Sequence, residues 1–289
     1  MPYLMLIFSI IFSVCKVICC KQISIFSDSV GNASKANSVL YFVSFTVMML
    51  LASNEMSEIF AISPFSVLLS AMLAASLVLS QLTEIKALSL GPTTITSFIY
   101  SLGFLIPIVV GLYAWDETVS VFQLCALMVI IASLFLIINP KKDKKMTVKW
   151  MVISFTSMIF SGISAVIQKT HQQSEFAGEI RLFLVYTMFF ASIYSIIIGF
   201  VANRKTKAKK FDLPVKKTIL FGGFAVAVLN FVNLYLSGKL PSVIQFPTFH
   251  IGTLVLTGSF SYFVLKEKQT ILQLIGLALG VTGVILIVI

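Results

Sequence analysis

Residues Ile271–Ile289 read ILQLIGLALGVTGVILIVI, nineteen positions without a charged side chain. A helix rising about 1.5 Å per residue carries such a run across a hydrocarbon layer roughly 30 Å thick. Nine further stretches of comparable character precede it: 2–20, 37–53, 62–83, 93–114, 119–138, 149–168, 181–201, 218–236 and 242–264. None shows the ten-residue alternation of a membrane β-strand. Where no water reaches the backbone, helices are what satisfies every N–H and C=O. The expected fold class is an all-α membrane protein of ten transmembrane helices.

Composition agrees. Of 289 residues, 58% are hydrophobic and 11% charged, with a mean hydropathy of +1.02. A soluble chain would carry about a quarter charged residues, so lipid is the expected solvent. The net charge of +10 comes from short basic runs, Lys141–Lys145 and Arg204–Lys210 among them, with no aromatic residues interleaved. They read as topology signals, and nucleic acid is not an expected partner. Loops joining helices 1–2, 3–4, 5–6, 7–8 and 9–10 hold 17 of the 21 basic residues. Positive loops stay in the cytoplasm, which places both termini outside. The first twenty residues lack a basic lead and a cleavage site, and read as the first membrane helix. Cys15, Cys19, Cys20 and Cys125 lie in apolar stretches without metal-ligand spacing. They read as apolar fillers, with lipidation of Cys19 or Cys20 near a helix end as the alternative.

The chain repeats itself. Phe12-Ser13 and Lys21 recur as Phe160-Ser161 and Lys169, a shift of 148. Pro92, Gly103 and Tyr113 recur as Pro241, Gly252 and Tyr262 at 149, and Glu117 and Gln123 as Glu267 and Gln273 at 150. A drift of one residue at a time is what a duplication with small loop insertions leaves. The expected domains are 1–140 and 149–289, joined by a basic linker at 141–148. Five helices is an odd number, so the second copy enters the membrane from the opposite side. Inverted repeats of this kind set a central site between halves that rock against each other.

Ala87-Leu88-Ser89-Leu90-Gly91-Pro92 opening helix 4, then Trp115-Asp116-Glu117-Thr118 before a Gln123-containing helix, resembles the half-domain of the drug/metabolite transporter superfamily, EamA-like. Ser237 to Pro241, followed by Lys266-Glu267-Lys268 before helix 10, is similar. The resemblance covers essentially the whole chain and implies ten helices, paired repeats and a central cavity. It also implies transport of amino acids, sugars, nucleotide conjugates, drugs or other metabolites. Gly91 departs from the pattern in having Leu240, not glycine, as its counterpart.

Polar side chains at membrane depth usually face the protein interior. Helix 6 carries Ser154, Ser157, Ser161, Ser164 and Gln168 at helical spacing, and helix 1 carries Ser9, Ser13 and Lys16 on the same pattern. Close helix packing explains small serines. Lys16 and Gln168 are long enough to line a cavity, although Lys16 also sits where it can snorkel to the headgroups. Helix 8 aligns Asn230, Asn233 and Ser237; helix 9 aligns Gln245, Thr248 and Gly252, with His250 off that stripe. His250 is a candidate for proton coupling, against the plainer role of a neutral, hydrogen-bonded histidine. Helix 4 offers Thr93, Ser97, Tyr100 and Ser101, and Pro107 and Pro247 mark helices 4 and 9 as irregular. Expected substrate-binding residues are therefore Lys16, Ser97, Tyr100, Ser164, Gln168, Asn230, Asn233, Gln245 and Thr248. Glu84 and Lys86, at the join of helices 3 and 4, read as interface residues. Tyr100, Tyr186 and Tyr262 are the tyrosines singled out as polar-tipped.

The function expected is a secondary active transporter of a small polar metabolite, working by alternating access in the plasma membrane. A lipid or lipid-linked headgroup flippase, or a broad drug exporter, is the alternative. No P-loop and no H-E-x-x-H pair is present, so no catalytic residue, cofactor or metal is expected. The expected partners are a small-molecule substrate and the bilayer, with a homodimer left open. Cysteines introduced as Asp143→Cys and Thr206→Cys should both react with an impermeant maleimide from the cytoplasmic side. Labelling from opposite sides would overturn the inverted repeat.

Overall fold

The computed structural model describes residues 1–26, 29–91, 93–137, 147–202, 211–263 and 270–288. The basic run at 141–145, the run at 204–210, Lys266-Glu267-Lys268, Pro92 and the Tyr262 side chain lie outside the described residues. Regular structure among the described residues is helical. The helices are α1 (Pro2–Phe26), α2 (Val30–Leu51), α3 (Pro64–Leu90), α4 (Thr93–Ser101), α5 (Leu105–Ala114), α6 (Val121–Ile137), α7 (Val148–Gln172), α8 (Ile180–Ala202), α9 (Leu213–Ser237), α10 (Ser242–Phe263) and α11 (Ile271–Val288). Together α4 and α5 make one broken rod, so the architecture has ten rods.

Local chemistry sets their ends. The side chains of Ser29, Ser63 and Thr147 accept from the backbone N–H of Asn32 (3.2 Å), Ser66 (3.1 Å) and Trp150 (3.2 Å), capping α2, α3 and α7. Pro64 and Pro214 occupy first turns, where a missing N–H costs nothing. The break between α4 and α5 is a 3₁₀ turn, Leu102–Phe104. Pro107 lies four residues past Gly103, so it has no N–H to offer that carbonyl and its ring crowds the same group. Pro247 was expected to act likewise and does not: α10 runs through it. So close to the start of α10, it frees only the Val243 carbonyl.

Eight spans are long and apolar enough to cross a bilayer, and Val121–Leu136 is a shorter apolar helix. The protein is an integral, multi-pass membrane protein. Rod α10 falls outside that set because Gln245, His250 and a series of threonines dilute it.

The main helix contacts recur when the two sets of five rods exchange. Helix α2 packs on its counterpart α8, and α6 on α11. The α3–α7 contact is matched by α9–α1, α2–α9 by α8–α3, and α1–α10 by α7 against α4, α5 and their turn. Loops following α2, α5, α7 and α9 gather at one end through Arg181–Glu55, Ser63 Oγ–Glu179 Oε2 (2.8 Å) and Lys169–Glu117 (2.7 Å). At the other end Thr218 donates to Gln22 (2.6 Å) and the Trp150 indole to Thr96 (2.9 Å).

Close backbone approach fixes the turn between α4 and α5 against α7. A Cβ on Gly103 would lie 2.9 Å from the Met158 carbonyl, and one on Gly162 would lie 2.9 Å from the Gly103 carbonyl. The repeat counterpart of Gly103, Gly252, likewise packs on α1, where a Cβ would meet Ile10 at 2.5 Å. Gly162→Val should cost about 1–3 kcal/mol through overpacking and lower the apparent Tm in detergent by several degrees. Gly178→Ala, with nothing within 4 Å of its Cβ, should leave the Tm unchanged.

Candidate functional site

A cavity of about 160 Å³ lies between the two sets of rods, walled by α1, α3, α4, α7, α9 and α10 with Tyr41 from α2. Five of these rods carry the substrate-binding residues expected from sequence; α3 and the Tyr41 side chain of α2 are additions to that set. Lys16, Ser97, Tyr100, Ser164, Gln168, Asn230, Asn233 and His250 all line it.

Gln245 and Thr248 do not. Both are buried, and the Gln245 amide donates to the Asn233 carbonyl (2.9 Å) and to Ser237 Oγ (3.2 Å). The lining face of α10 is Phe246, Phe249, His250, Thr253, Leu254 and Thr257. One residue turns a helix by about 100°, so the stripe Gln245–Thr248–Gly252 points instead at the neighbouring helices.

Glu84 corrects the sequence reading in the other direction. Helix α3 continues to Leu90, so this carboxylate sits inside the helix and on the cavity wall rather than at an interface. Its Oε2 lies 3.1 Å from Lys16 Nζ, with the two side chains 10% and 14% exposed. Lys16 therefore does not snorkel to the headgroups. Its ammonium also stands 5.6 Å from the Tyr100 ring centroid, a cation–π distance. The helical step Leu77–Ser80–Gln81–Glu84 on one face of α3 was the signal that would have found it. Cys19 and Cys20 lie inside α1, 3% and 1% exposed, and offer no surface thiol for lipidation.

The remaining polar wall is partly knitted. Tyr41 donates to Gln81 Oε1 (2.7 Å), whose amide donates to Asn37 (3.1 Å). Gln168 donates to Asn230 Oδ1 (3.3 Å) and Asn230 to the Val226 carbonyl (2.8 Å). Asn233 Oδ1 and the hydroxyls of Thr253 and Thr257 are buried without a hydrogen-bond partner among the described residues. Such groups cost about 1–3 kcal/mol each when unmet, and all three belong to cavity-lining residues. The His250 ring sits among Tyr100, Phe104 and Phe249, with centroids 6.0, 6.3 and 5.4 Å away. The serine stripe of α7 divides along its length. Ser157 and Ser80 exchange hydroxyl-to-carbonyl bonds (3.2 and 3.3 Å) that pack α7 on α3, while Ser161 and Ser164 reach the cavity. Ser9 is spent on the Leu6 carbonyl (3.0 Å). Tyr186, at the far end of α8, donates to the Ile59 carbonyl (2.9 Å) and takes no part.

The lining obeys the repeat. Advanced by 148 in α1 and 149 in α3 and α4, every lining residue of those helices meets a lining residue of the second half. Gln81 corresponds to Asn230, Tyr100 to Phe249, Lys16 to Ser164 and Glu84 to Asn233. The charges sit in one half only.

A second ion pair closes the end of the cavity region beyond Gln168. Lys169 Nζ lies 2.7 Å from Glu117 Oε1 and also donates to the Leu240 carbonyl (2.8 Å). Asp116, at φ 51°, turns the chain so that Glu117 folds back, and its Oε2 accepts from the backbone N–H of Ser242 at the start of α10 (2.9 Å). A carboxylate at a helix N-terminus is favoured there by the macrodipole.

Residues 148–289 match the model of the EamA-like transporter family. A solved structure titled "Crystal structure of protein" superposes with a TM-score of 0.77 at 9% identity, covering 99% of this chain and 96% of that one. At that identity the likeness is one of fold. No curated protein matches the sequence.

Both partners of the Lys169–Glu117 pair are largely out of solvent, so removing one strands the other. Lys169→Met or Glu117→Gln alone should destabilise by about 3–5 kcal/mol, and the double variant by less than the sum. Thermal unfolding of the four proteins in one detergent measures the cycle.

Proposed function

We propose that this chain, an EamA-like transporter protein over its second half, is a secondary active carrier that moves a small polar metabolite across the plasma membrane by alternating access. The family is one of drug and metabolite transporters, and the cavity supports the narrower reading. Its walls come from both halves, 1–140 and 149–289, which we take as the two moving units with 141–148 between them. A site shared by oppositely directed repeats faces one side and then the other as they rock.

The observation that carries this reading is the Lys16–Glu84 pair on the wall of a cavity both halves share. Charges are not kept at membrane depth without a use or a partner, and here they sit where a solute would lie. Unpartnered Asn233 Oδ1, Thr253 and Thr257 supply neutral contacts. At about 160 Å³ the space is below the roughly 300 Å³ at which drug-sized pockets begin, which favours a compact metabolite over a bulky drug.

A thermal-shift screen of the purified protein against amino acids, sugars and organic acids should find a solute that raises the Tm, because it binds the folded state alone. Counterflow of that solute in proteoliposomes should fall at least about tenfold in Asn233→Ala and in Gln168→Ala, the equivalent of one lost buried hydrogen bond. Unchanged counterflow in both would remove the cavity from the transport path.

A further inference from the structure

We infer that the Lys16–Glu84 pair couples transport to protons: a carboxylate on the solute takes over Lys16, and the released Glu84 takes up a proton that travels with it. This rests on the reading of the cavity as the transport site.

The two buried ion pairs among the described residues are built differently. Lys169 and Glu117 are each held by a backbone group as well, the Leu240 carbonyl and the Ser242 N–H. Lys16 and Glu84 have no such backbone hold: the hydrogen bond between them, 3.1 Å, is the one either side chain makes among the described residues, and Lys16 otherwise meets the Tyr100 ring. The first pair is fastened to the frame; the second is free to change partners. Their sequence repeats differ in the same sense. Lys21 and Glu267 repeat Lys169 and Glu117 in sequence, whereas Lys16 and Glu84 correspond to the neutral Ser164 and Asn233. In sequence the fastened pair has counterparts of the same residue types, and the cavity pair does not.

Charge balance supplies the proton. At rest the cavity holds one cation and one anion. A solute carboxylate bound to the Lys16 ammonium would leave the Glu84 carboxylate unpaired, and stranding one member of a buried pair costs about 3–5 kcal/mol. An O–H bond formed at Glu84, with the proton drawn from water on the open side, restores neutrality. On the opposite side the solute leaves, the proton returns to water and Lys16 closes on Glu84 again.

The other titratable groups facing this pair are Cys20 on α1, Tyr41 on α2, Tyr100 on α4 and His250 on α10; α7 and α9 present hydroxyls and amides to the cavity. Tyr41 is committed to Gln81. A proton on His250 would place a second cation near Lys16 instead of offsetting the anion. Glu84 is the group whose protonation balances the incoming charge.

The test uses the purified protein in weakly buffered detergent solution with a pH indicator, and the monocarboxylates acetate, glycolate, lactate and pyruvate as separate probes. At least one probe should raise the Tm and draw one proton from solution per molecule bound, so that its Kd rises up to tenfold per pH unit. Glu84→Gln should bind the probe without proton uptake, and Glu84→Asp should restore uptake. Binding by the unaltered protein with no proton uptake overturns the inference, as does uptake that survives Glu84→Gln, above all if His250→Gln abolishes it. Failure of all four probes overturns the carboxylate. If Glu84→Gln does not fold, the proton count on the unaltered protein and on Glu84→Asp decides. Flux of the bound probe into proteoliposomes separates the two readings. A probe that binds with a proton but does not cross sinks the carrier, while one that crosses without a proton sinks the coupling and leaves the carrier standing.

Discussion

Hydrocarbon offers no hydrogen bonds, and the rest of the molecule follows from that. Every backbone N–H and C=O must be met within the chain, so the sequence is spent on helices. Side-chain hydroxyls obey the same rule locally. Ser44, Thr83, Ser154, Ser164 and Thr170 each return a bond to the carbonyl four residues back in their own helix, at 2.6 to 3.0 Å. A serine so bonded is nearly apolar to its neighbours, and helices can pack on it closely. Longer polar side chains keep groups left over for other partners, and Lys16, Gln81, Glu84, Gln168, Asn230 and Asn233 bring theirs to the cavity.

Symmetry then divides the labour. The frame is made of elements present twice: glycines that let α4–α5 and α10 approach α7 and α1, and the lysine and glutamate that repeat at both halves' equivalent positions. The cavity lining is duplicated in position but not in chemistry. Tyr100 faces a phenylalanine counterpart, Gln81 an asparagine, Glu84 another asparagine and Lys16 a serine. The main contacts between the two sets of rods come in matching pairs. One solute can still be held in one orientation, because the polar groups around it do not match.

Much of this was legible in the sequence because two periodicities carry it. Runs of about twenty apolar residues give the rods, and the offset of 148 to 150 gives the inversion. Five of the rods walling the cavity carry polar stripes read from the sequence, and the sixth, α3, carries one that was not read. The failures are also physical. Hydropathy ends a helix at its first charges, which puts Glu84 at the helix end, one residue past the expected boundary at 83, whereas α3 runs on to Leu90. Stripe analysis finds a face but not what the face meets. Gln245 and Thr248 share a helix with His250 and are turned from it by a fraction of a turn, which is enough to exchange cavity for packing. Nothing in the sequence says that Lys16 and Glu84, 68 residues apart, meet across two helices.

That meeting bears on what the carrier can move. A buried ion pair stabilises a protein weakly, since desolvating both charges offsets their attraction; a well-packed apolar pair would hold α1 to α3 at least as well. The pair's worth has to lie in what happens when it opens. Neither half-cavity contains a second fixed charge to receive Lys16 or Glu84, and the counterparts Ser164 and Asn233 can offer only neutral hydrogen bonds. Opening therefore requires charge from outside: an anion for the ammonium, and a cation or proton for the carboxylate. A neutral sugar or a lone cationic drug meets half of that demand at most. On the proposed reading of the cavity, the pair favours solutes that arrive with a negative group and ties their passage to whatever neutralises Glu84.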